Sequence, residues 1–306
     1  MSLSDIQNRN YLPMPKPASI THQHILSALL TLYKKQSYNS KEVIRILDAG
    51  CGDGRLIAFL LSSLVLIFNS DPKIEIFGFD VFDHGVQKEG FIFNTIKTLS
   101  DVFPEIPWDG RIRYVGVDDE WPFDDGFFNF IVSNQVLEHV HNKYHFFSNI
   151  SRTLKNGGYS VNLAPLMHCI WEGHVHLPLA HKIRNHTALL IYIYICSVLG
   201  LGNFSSHHKK TGISRRVFSG QQTNYVLRWT SYTSESETLK LSRDCGLKCD
   251  FSYSLEFYTQ KLRSILGLPF SMYYRNRRFG ITDAVLIKIL RYISSVTLIC
   301  HKRNTY

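Results

Sequence analysis

Apolar positions along this chain of 306 residues keep two spacings, and the two alternate. Short, nearly continuous apolar runs lie at Ile44–Leu47, Ile74–Phe79, Ile112–Val117, Phe127–Ser133 and Tyr159–Leu163. Runs of that kind suit strands buried on both faces of a parallel sheet. Before and between them, apolar residues return every three or four positions, which predicts helices over Ile20–Tyr33, Arg55–Phe68, His84–Leu99 and Phe146–Leu154. Lys155-Asn156-Gly157-Gly158 reads as a helix stop. Strand and helix in regular succession predict an α/β domain.

The rhythm breaks after the fifth run. Pro165–Thr230 follows neither spacing. Within it, Ala188–Leu201 is the most apolar stretch of the chain, and Asn203–Thr223 is polar, basic and glycine-bearing, which predicts a mobile loop. Regularity returns with a helix capped by Thr233 or Ser234 and stopped at Gly246. A strand over Leu247–Phe257, an amphipathic helix over Thr282–Tyr292 and a β-rich run, Ser295–Cys300, then close the chain, with a basic excursion at Arg275–Arg278. Met1–Ser19 reads as a loose polar arm, without an apolar segment of signal-peptide type.

The turn after the first strand carries the chemistry. Asp48-Ala49-Gly50-Cys51-Gly52-Asp53-Gly54 places three glycines at alternate positions between a strand and a helix. Glycine admits backbone angles closed to other residues and lets a ligand approach the main chain; the first amides of the helix then face that ligand. The dinucleotide fingerprint needs a third glycine where Arg55 or Ile57 stands, and the phosphate-loop ending Gly-Lys-Ser/Thr is absent. An acid preceding the glycines suits a ligand with positive charge better than a pyrophosphate.

The acid-x-Gly-x-Gly-x-Gly pattern resembles the first motif of class I S-adenosylmethionine-dependent methyltransferases. Further motifs of that family follow in order. Asp80 ends the second strand, beside Val81, where an acid can accept both ribose hydroxyls. Asp118 and Asp119 precede Trp121-Pro122-Phe123, where the family has an acid for the adenine amino group; either fits. Ser133-Asn134-Gln135-Val136-Leu137-Glu138-His139-Val140 is similar to the family's Ser-x-x-x-Leu-Glu-His-Val, and Leu154-Lys155-Asn156-Gly157-Gly158 to its Leu-Lys-Pro-Gly-Gly, with Asn156 for proline. The resemblance implies a Rossmann-like fold: a doubly wound, seven-stranded, mostly parallel sheet, the last strand antiparallel, with a lid inserted after the fifth strand. It implies S-adenosylmethionine as cofactor, held by Asp48, Gly50, Cys51, Gly52, Gly54, Asp80, Val81, Asp118 or Asp119, Asn134 and Gln135. The Asn-Pro-Pro-Tyr/Phe signature is absent, which argues against methylation of nucleobase amines. The expected organisation is an arm and helix over 1–40, a cofactor core over 41–165, a lid over 166–230 and completion of the core over 231–306.

Composition sharpens the acceptor side. Met1–Gly202 holds 17 Lys/Arg against 19 Asp/Glu, and Asn203–Tyr306 holds 17 against 6, so the net charge of +9 sits in the last third. That excess points to an anionic partner; a solvated surface is the competing reading. Six scattered cysteines, of which only Cys245 and Cys249 are close in sequence, suit reduced thiols in a cytoplasmic protein. Ala188–Leu201 is too short to span a bilayer. A buried helix and a membrane-facing surface both remain open for it, the latter implying peripheral contact at the inner face of a membrane.

Five histidines crowd the proposed lid: His168, His174, His176, His181 and His186. No ligand set for a metal is visible among them, and no metal is expected. A neutral histidine is a good base for a hydroxyl, so His174 or His176, with Glu172 as orienter, is expected to serve catalysis; structural histidines are the alternative. The expected activity is S-adenosylmethionine-dependent methylation, on oxygen, of a glycan, lipid-linked or other small-molecule acceptor. Carbon methylation of a prenylated or quinone-like ring, RNA methylation and non-catalytic donor binding are the rivals; nucleic acid is the less expected partner. The acceptor and the oligomeric state are not legible.

Overall fold

The computed structural model describes residues 19–36, 42–69, 71–82, 90–274 and 280–303. Helix α1 (Ile20–Lys34) starts where the Ser19 side chain caps the His22 amide. It is followed by β1 (Ile44–Ala49), α2 (Arg55–Phe68), β2 (Ile74–Val81), α3 (Phe91–Val102), β3 (Ile112–Val115), β4 (Phe128–Asn134), α4 (Lys143–Thr153) and β5 (Leu154–Ala164). The seven-stranded sheet has the order β3-β2-β1-β4-β5-β9-β8, with β8 at Leu247–Asp250 and β9 at Val296–Lys302. The five leading strands run parallel, and β9 runs antiparallel to both β5 and β8. The doubly wound, Rossmann-like sheet expected from the motifs is therefore present.

Successive strand residues leave on opposite faces of the sheet, and both faces are covered. Ile46, Val132 and Ile299 enter one apolar cluster with residues of α1, α2 and α3, while their neighbours Leu47, Ile131 and Leu298 enter another with Phe146 and Ile150 of α4. A strand packed on both sides has no wholly polar face to show, hence the apolar runs with only isolated polar residues such as Arg45, Glu75 and Arg113. Because the chain winds from β1 outward to β2 and then returns to β4 on the other side, the carboxyl ends of β1 and β4 flank a crevice.

Three elements depart from the sequence expectations. Asn203–Thr223 is not a loop: it lies in α6 (Phe204–Thr211) and α7 (Arg215–Trp229), held by Phe204, Phe218 and Val226 in a third apolar cluster with α5 (His186–Val198). The strand expected over Leu247–Phe257 ends at Asp250, and α9 (Ser254–Ile265) begins soon after, its Phe257 buried beside Leu163. The helix stop at Lys155–Gly158 is instead the start of β5, which begins at Leu154 directly after α4. Helix α8 (Glu235–Asp244), capped by Ser234, and α10 (Ile281–Leu290) lie as expected. The arm over 1–18, the first residues of the His84–Leu99 helix and the excursion at 275–278 lie outside the described residues.

Helix α1 is tied to β9, the strand beside β5, by a buried histidine. His24, fully buried, sets Nδ1 2.5 Å from the Tyr274 hydroxyl and Nε2 2.7 Å from Thr297 Oγ1 on β9. Burial lowers its pKa to about 3. The unfolded chain therefore takes up a proton below about pH 6.5 that the folded chain refuses, and stability falls with pH through that window by roughly 1 kcal/mol per unit. His24→Gln, which keeps a hydrogen-bonding head without a titrating group, is expected to flatten this limb in denaturant melts between pH 6.5 and pH 4. An acid limb as steep as that of the unaltered protein contradicts the assignment.

Candidate functional site

The β1–α2 turn sits against the chain leaving β4. Gly50 has φ +79°, and a Cβ there would lie 2.5 Å from Cγ2 of Val136. The Gly50 and Cys51 amides both donate to the Phe79 carbonyl at 2.9 Å, fastening the turn to the end of β2. The Asp80 carboxylate is held from two sides: Gly52 N–H donates to Oδ2 and Val81 N–H to Oδ1, each at 2.8 Å. Over this arrangement opens a cavity of ≈ 280 Å³, with Gly50 and Gly52 at its base, Asp80, Val81 and Asp119 on one side and Asn134, Gln135 and His139 on the other. Phe79, Val115, Trp121 and Phe146 give it an apolar wall.

Seven of the eleven residues expected to hold the cofactor line this cavity: Gly50, Gly52, Asp80, Val81, Asp119, Asn134 and Gln135. Between the two alternative acids, Asp119 lines it and receives the Gly116 amide on Oδ2 at 2.9 Å, whereas Asp118 is exposed and outside it. Cys51 is buried, and Gly54 is the left-handed N-cap of α2. Asp48 is also buried, and neither carboxylate oxygen has a hydrogen-bond partner. Burial, with the nearby charges of Asp80 and Asp53, pushes its pKa up to about 8. Gln135 has φ +58°, a backbone strain of the sort that collects at functional sites, and its side-chain amide donates to Ser295 Oγ at 3.0 Å. Asn134 Oδ1 is buried without a partner.

These features fit S-adenosylmethionine. Three orphaned acceptor oxygens, two on Asp48 and one on Asn134, need a cation or donor. Asp80 presents a fixed carboxylate for vicinal hydroxyls, and Gly52 leaves open space where a side chain would fill the base, with nothing within 4 Å of its added Cβ.

Beside the cavity stands a second group of polar side chains. A short hairpin, β6 (Trp171–Glu172) and β7 (Leu177–Pro178), carries Glu172, which is fully buried. Its Oε2 accepts the amides of His174 (2.8 Å) and Val175 (2.7 Å); its Oε1 lies 2.6 Å from His174 Nδ1 and accepts the Tyr232 hydroxyl at 2.9 Å. The His174 ring packs edge-on against that of His139, 4.9 Å between centroids, and lies 4.9 Å from Tyr225. Burial alone lowers the His174 pKa, but the hydrogen bond and charge of Glu172, with Glu138 adding, raise it above the ordinary histidine value. His174, the Val175 amide and the Tyr232 hydroxyl hold Glu172 below the ordinary carboxylate value in spite of its burial.

The other clustered histidines are dispersed. His176 is exposed in the hairpin turn with φ +55°; His168 packs against Tyr292; His181 is buried against Tyr232 and faces the Met167 carbonyl; His186 is exposed at the start of α5. Sequence reasoning gave no role to His139, Tyr225 or Tyr232. His139 stands inside the Leu-Glu-His-Val run, so a local signal existed; the two tyrosines arrive only through packing of the segment before α8 onto Glu138, whose carbonyl accepts the Ser231 amide at 2.6 Å. Among the described residues, no three His, Cys, Asp or Glu side chains are grouped to hold a metal ion.

A family model described as "Methyltransferase domain" matches residues 21–197. The search of curated proteins returned no match. Among solved structures, DszA carbon methyltransferase is similar in fold with a TM-score of 0.50 at 11% identity, over 98% of this chain and 58% of that one. Geranyl diphosphate C-methyltransferase from Streptomyces coelicolor A3(2), solved with Mg2+, geranyl-S-thiolodiphosphate and S-adenosyl-L-homocysteine, gives 0.42 at 15% identity, over 90% of this chain and 75% of that. Haemonchus contortus phosphoethanolamine N-methyltransferase 2, with phosphomonomethylethanolamine and S-adenosylhomocysteine, gives 0.45 at 14%, over 99% and 61%.

Two substitutions separate binding from folding. Asp80→Ala is expected to weaken S-adenosylhomocysteine binding by about 10–100-fold in calorimetry, with the melting temperature nearly kept; unchanged affinity removes the ribose role. Asp48→Asn is expected to weaken binding yet raise the melting temperature at pH 7. The unfolded carboxyl releases its proton near pH 3.9 and the folded one only at about 8, so the native acid loses stability across that interval and the amide does not. A lower melting temperature at pH 7 for the amide runs against this.

Proposed function

Since the chain belongs to the methyltransferase-domain family, as a class I S-adenosylmethionine-dependent enzyme, we propose that it methylates a hydroxyl oxygen of a small acceptor with His174 as the base. The observation that carries the reading is the pairing of buried Glu172 with half-buried His174, 2.6 Å apart, packed on His139 at the wall of the donor cavity. S-Adenosylmethionine, when bound, would supply an electrophilic methyl group, its sulfur keeping the electron pair of the S–CH3 bond that breaks. What remains for the protein is to align the acceptor and to remove its proton.

The hydrogen bond at Nδ1 fixes the tautomer. With Nδ1–H donated to Glu172 Oε1, the Nε2 lone pair takes the hydroxyl proton, and the acceptor oxygen keeps the electron pair that forms the new C–O bond. Glu172 then faces an imidazolium, and its own charge is secured by two amides and the Tyr232 hydroxyl. Tyr232 and Glu172 are positioning residues. The Tyr225 ring packs against both His174 and His139, and burial, with Glu172 and Glu138 nearby, pushes its phenol up to about 12. It stays protonated and able to donate to an acceptor oxygen. The basic last third of the chain supports an acceptor with negative charge, of glycan, lipid-linked or other small-molecule class.

His174→Ala is expected to lower kcat by about 10²–10⁴-fold while S-adenosylhomocysteine affinity stays within about twofold. In the unaltered enzyme kcat/KM rises with pH as His174 loses its proton, with an inflection above the ordinary histidine value. Glu172→Gln removes the charge that raises it, so the inflection moves to lower pH as the plateau falls. Full turnover in the alanine variant, or an unmoved inflection in the glutamine variant, excludes the base assignment. Mass spectrometry and NMR of the product formed in an extract of the source cells read the acceptor class, and a new methyl on carbon rather than oxygen rejects the hydroxyl reading.

A further inference from the structure

Helix α5 is apolar around most of its circumference, a composition suited to a core or to lipid. Its inner face fits a core: Leu189 and Ile193 are fully buried with Phe218 and Val226 of α7. The outer face does not, and the buried helix expected from the sequence is only half realised. Ile191, Tyr194, Ile195, Val198 and Leu199 are 43–68% exposed. None of them lines the donor cavity or touches the Glu172–His174 pair, so this surface needs an explanation that the catalytic reading does not give.

Its surroundings narrow the choice. On one flank the Tyr192 hydroxyl donates to the Pro178 carbonyl at 2.8 Å, which sets the β6–β7 hairpin alongside with Trp171 and Leu179 half exposed. On the other flank Arg215 donates from Nε to the Ser197 carbonyl at 3.3 Å, and Lys209, Lys210 and Arg216 are exposed nearby in sequence on α6 and α7. From Gly173 to Ser234 the chain contains no Asp or Glu but seven Lys and Arg. Apolar face and positive flank thus share one acid-free segment.

We propose that the outer face of α5, with the adjoining hairpin and basic flank, docks on the surface of a bilayer containing anionic lipid. Such a bilayer offers hydrocarbon for the aliphatic row and negative charge for the lysines and arginines. Trp171 and Tyr194 have the ring and polar-tip chemistry of the headgroup level. A helix of 13 residues is suited to lying in the interface rather than crossing it. A second copy fits less well, because a self-paired face would bring two positive flanks together. Nucleic acid fits less well because the face is mostly aliphatic, with few rings, such as Trp171 and Tyr194, for a base to stack on. The proposal is independent of the acceptor and of the base.

Flotation of the full chain with extruded vesicles tests it. Vesicles of equal parts phosphatidylcholine and phosphatidylglycerol are expected to carry at least about tenfold more protein than phosphatidylcholine alone, a difference lost at high salt. Ile195→Glu with Leu199→Glu, both at exposed positions, is expected to cut the bound fraction about tenfold while melting temperature and S-adenosylhomocysteine affinity hold. Lys209→Glu with Arg216→Glu is expected to abolish the preference for the anionic vesicles. Absence of vesicle binding overturns the proposal, as does binding indifferent to the α5 substitutions. So does a sedimenting dimer that the same substitutions dissociate, or salt-sensitive retention of RNA in place of vesicles.

Discussion

The close approach of the β1–α2 turn to Val136 governs the geometry of the donor cavity. At Gly50 the backbone is left-handed and a Cβ would come within 2.5 Å of Val136 Cγ2. Any other residue there carries about 1–2 kcal/mol of backbone strain and must also displace Val136. Glycine allows the turn to close, and closure brings two amides onto the Phe79 carbonyl and a third onto Asp80. The orientation of the Asp80 carboxylate is therefore a consequence of the turn, and so is the narrow gap between the ends of β1 and β4 where Asn134 and Gln135 enter.

What the sequence disclosed follows the same division. The parallel core was legible because strands covered on both faces show nearly continuous apolar runs, and α2 falls over the expected Arg55–Phe68. The cavity-lining residues Gly50, Gly52, Asp80, Val81, Asp119, Asn134 and Gln135 were legible because they belong to short contiguous motifs at strand ends. Asn203–Thr223 was misread because its polarity outweighs its few anchors; Phe204, Phe218 and Val226 make it helical through packing on α5, which no local spacing announces. The run after Gly246 was ambiguous in kind: Phe251, Tyr253 and Phe257 suit a strand period, yet the last two also fit a helix turn. His139, Tyr225 and Tyr232 come from three separate segments, and only the folded chain assembles them.

Two buried glutamates beside the cavity show how hydrogen bonding decides charge. Glu138 is buried with Oε2 unpartnered, and burial pushes its pKa up to about 7 even though Lys143 lies near. That lysine is itself buried, and burial lowers its pKa to about 8. Glu172 is buried as deeply yet lies below the ordinary carboxylate value, because His174, two amides and the Tyr232 hydroxyl all favour its ionised form. Donors of this number more than offset desolvation. Of the two carboxylates, Glu172 is the one fixed as an anion at neutral pH, so the histidine it holds gains basicity.

The hairpin explains why that carboxylate can be so well supplied. Its turn runs through His176 in a left-handed conformation, and the chain folds back so that the His174 and Val175 amides point at one oxygen of Glu172, two and three residues earlier. The second oxygen is left for the His174 ring and for Tyr232 from the far side. His176 thus serves the pair through its backbone, while its ring stays in solvent. The same hairpin receives the Tyr192 hydroxyl of α5 on Pro178, so the helix with the exposed apolar face and the buried acid rest on one small structural unit.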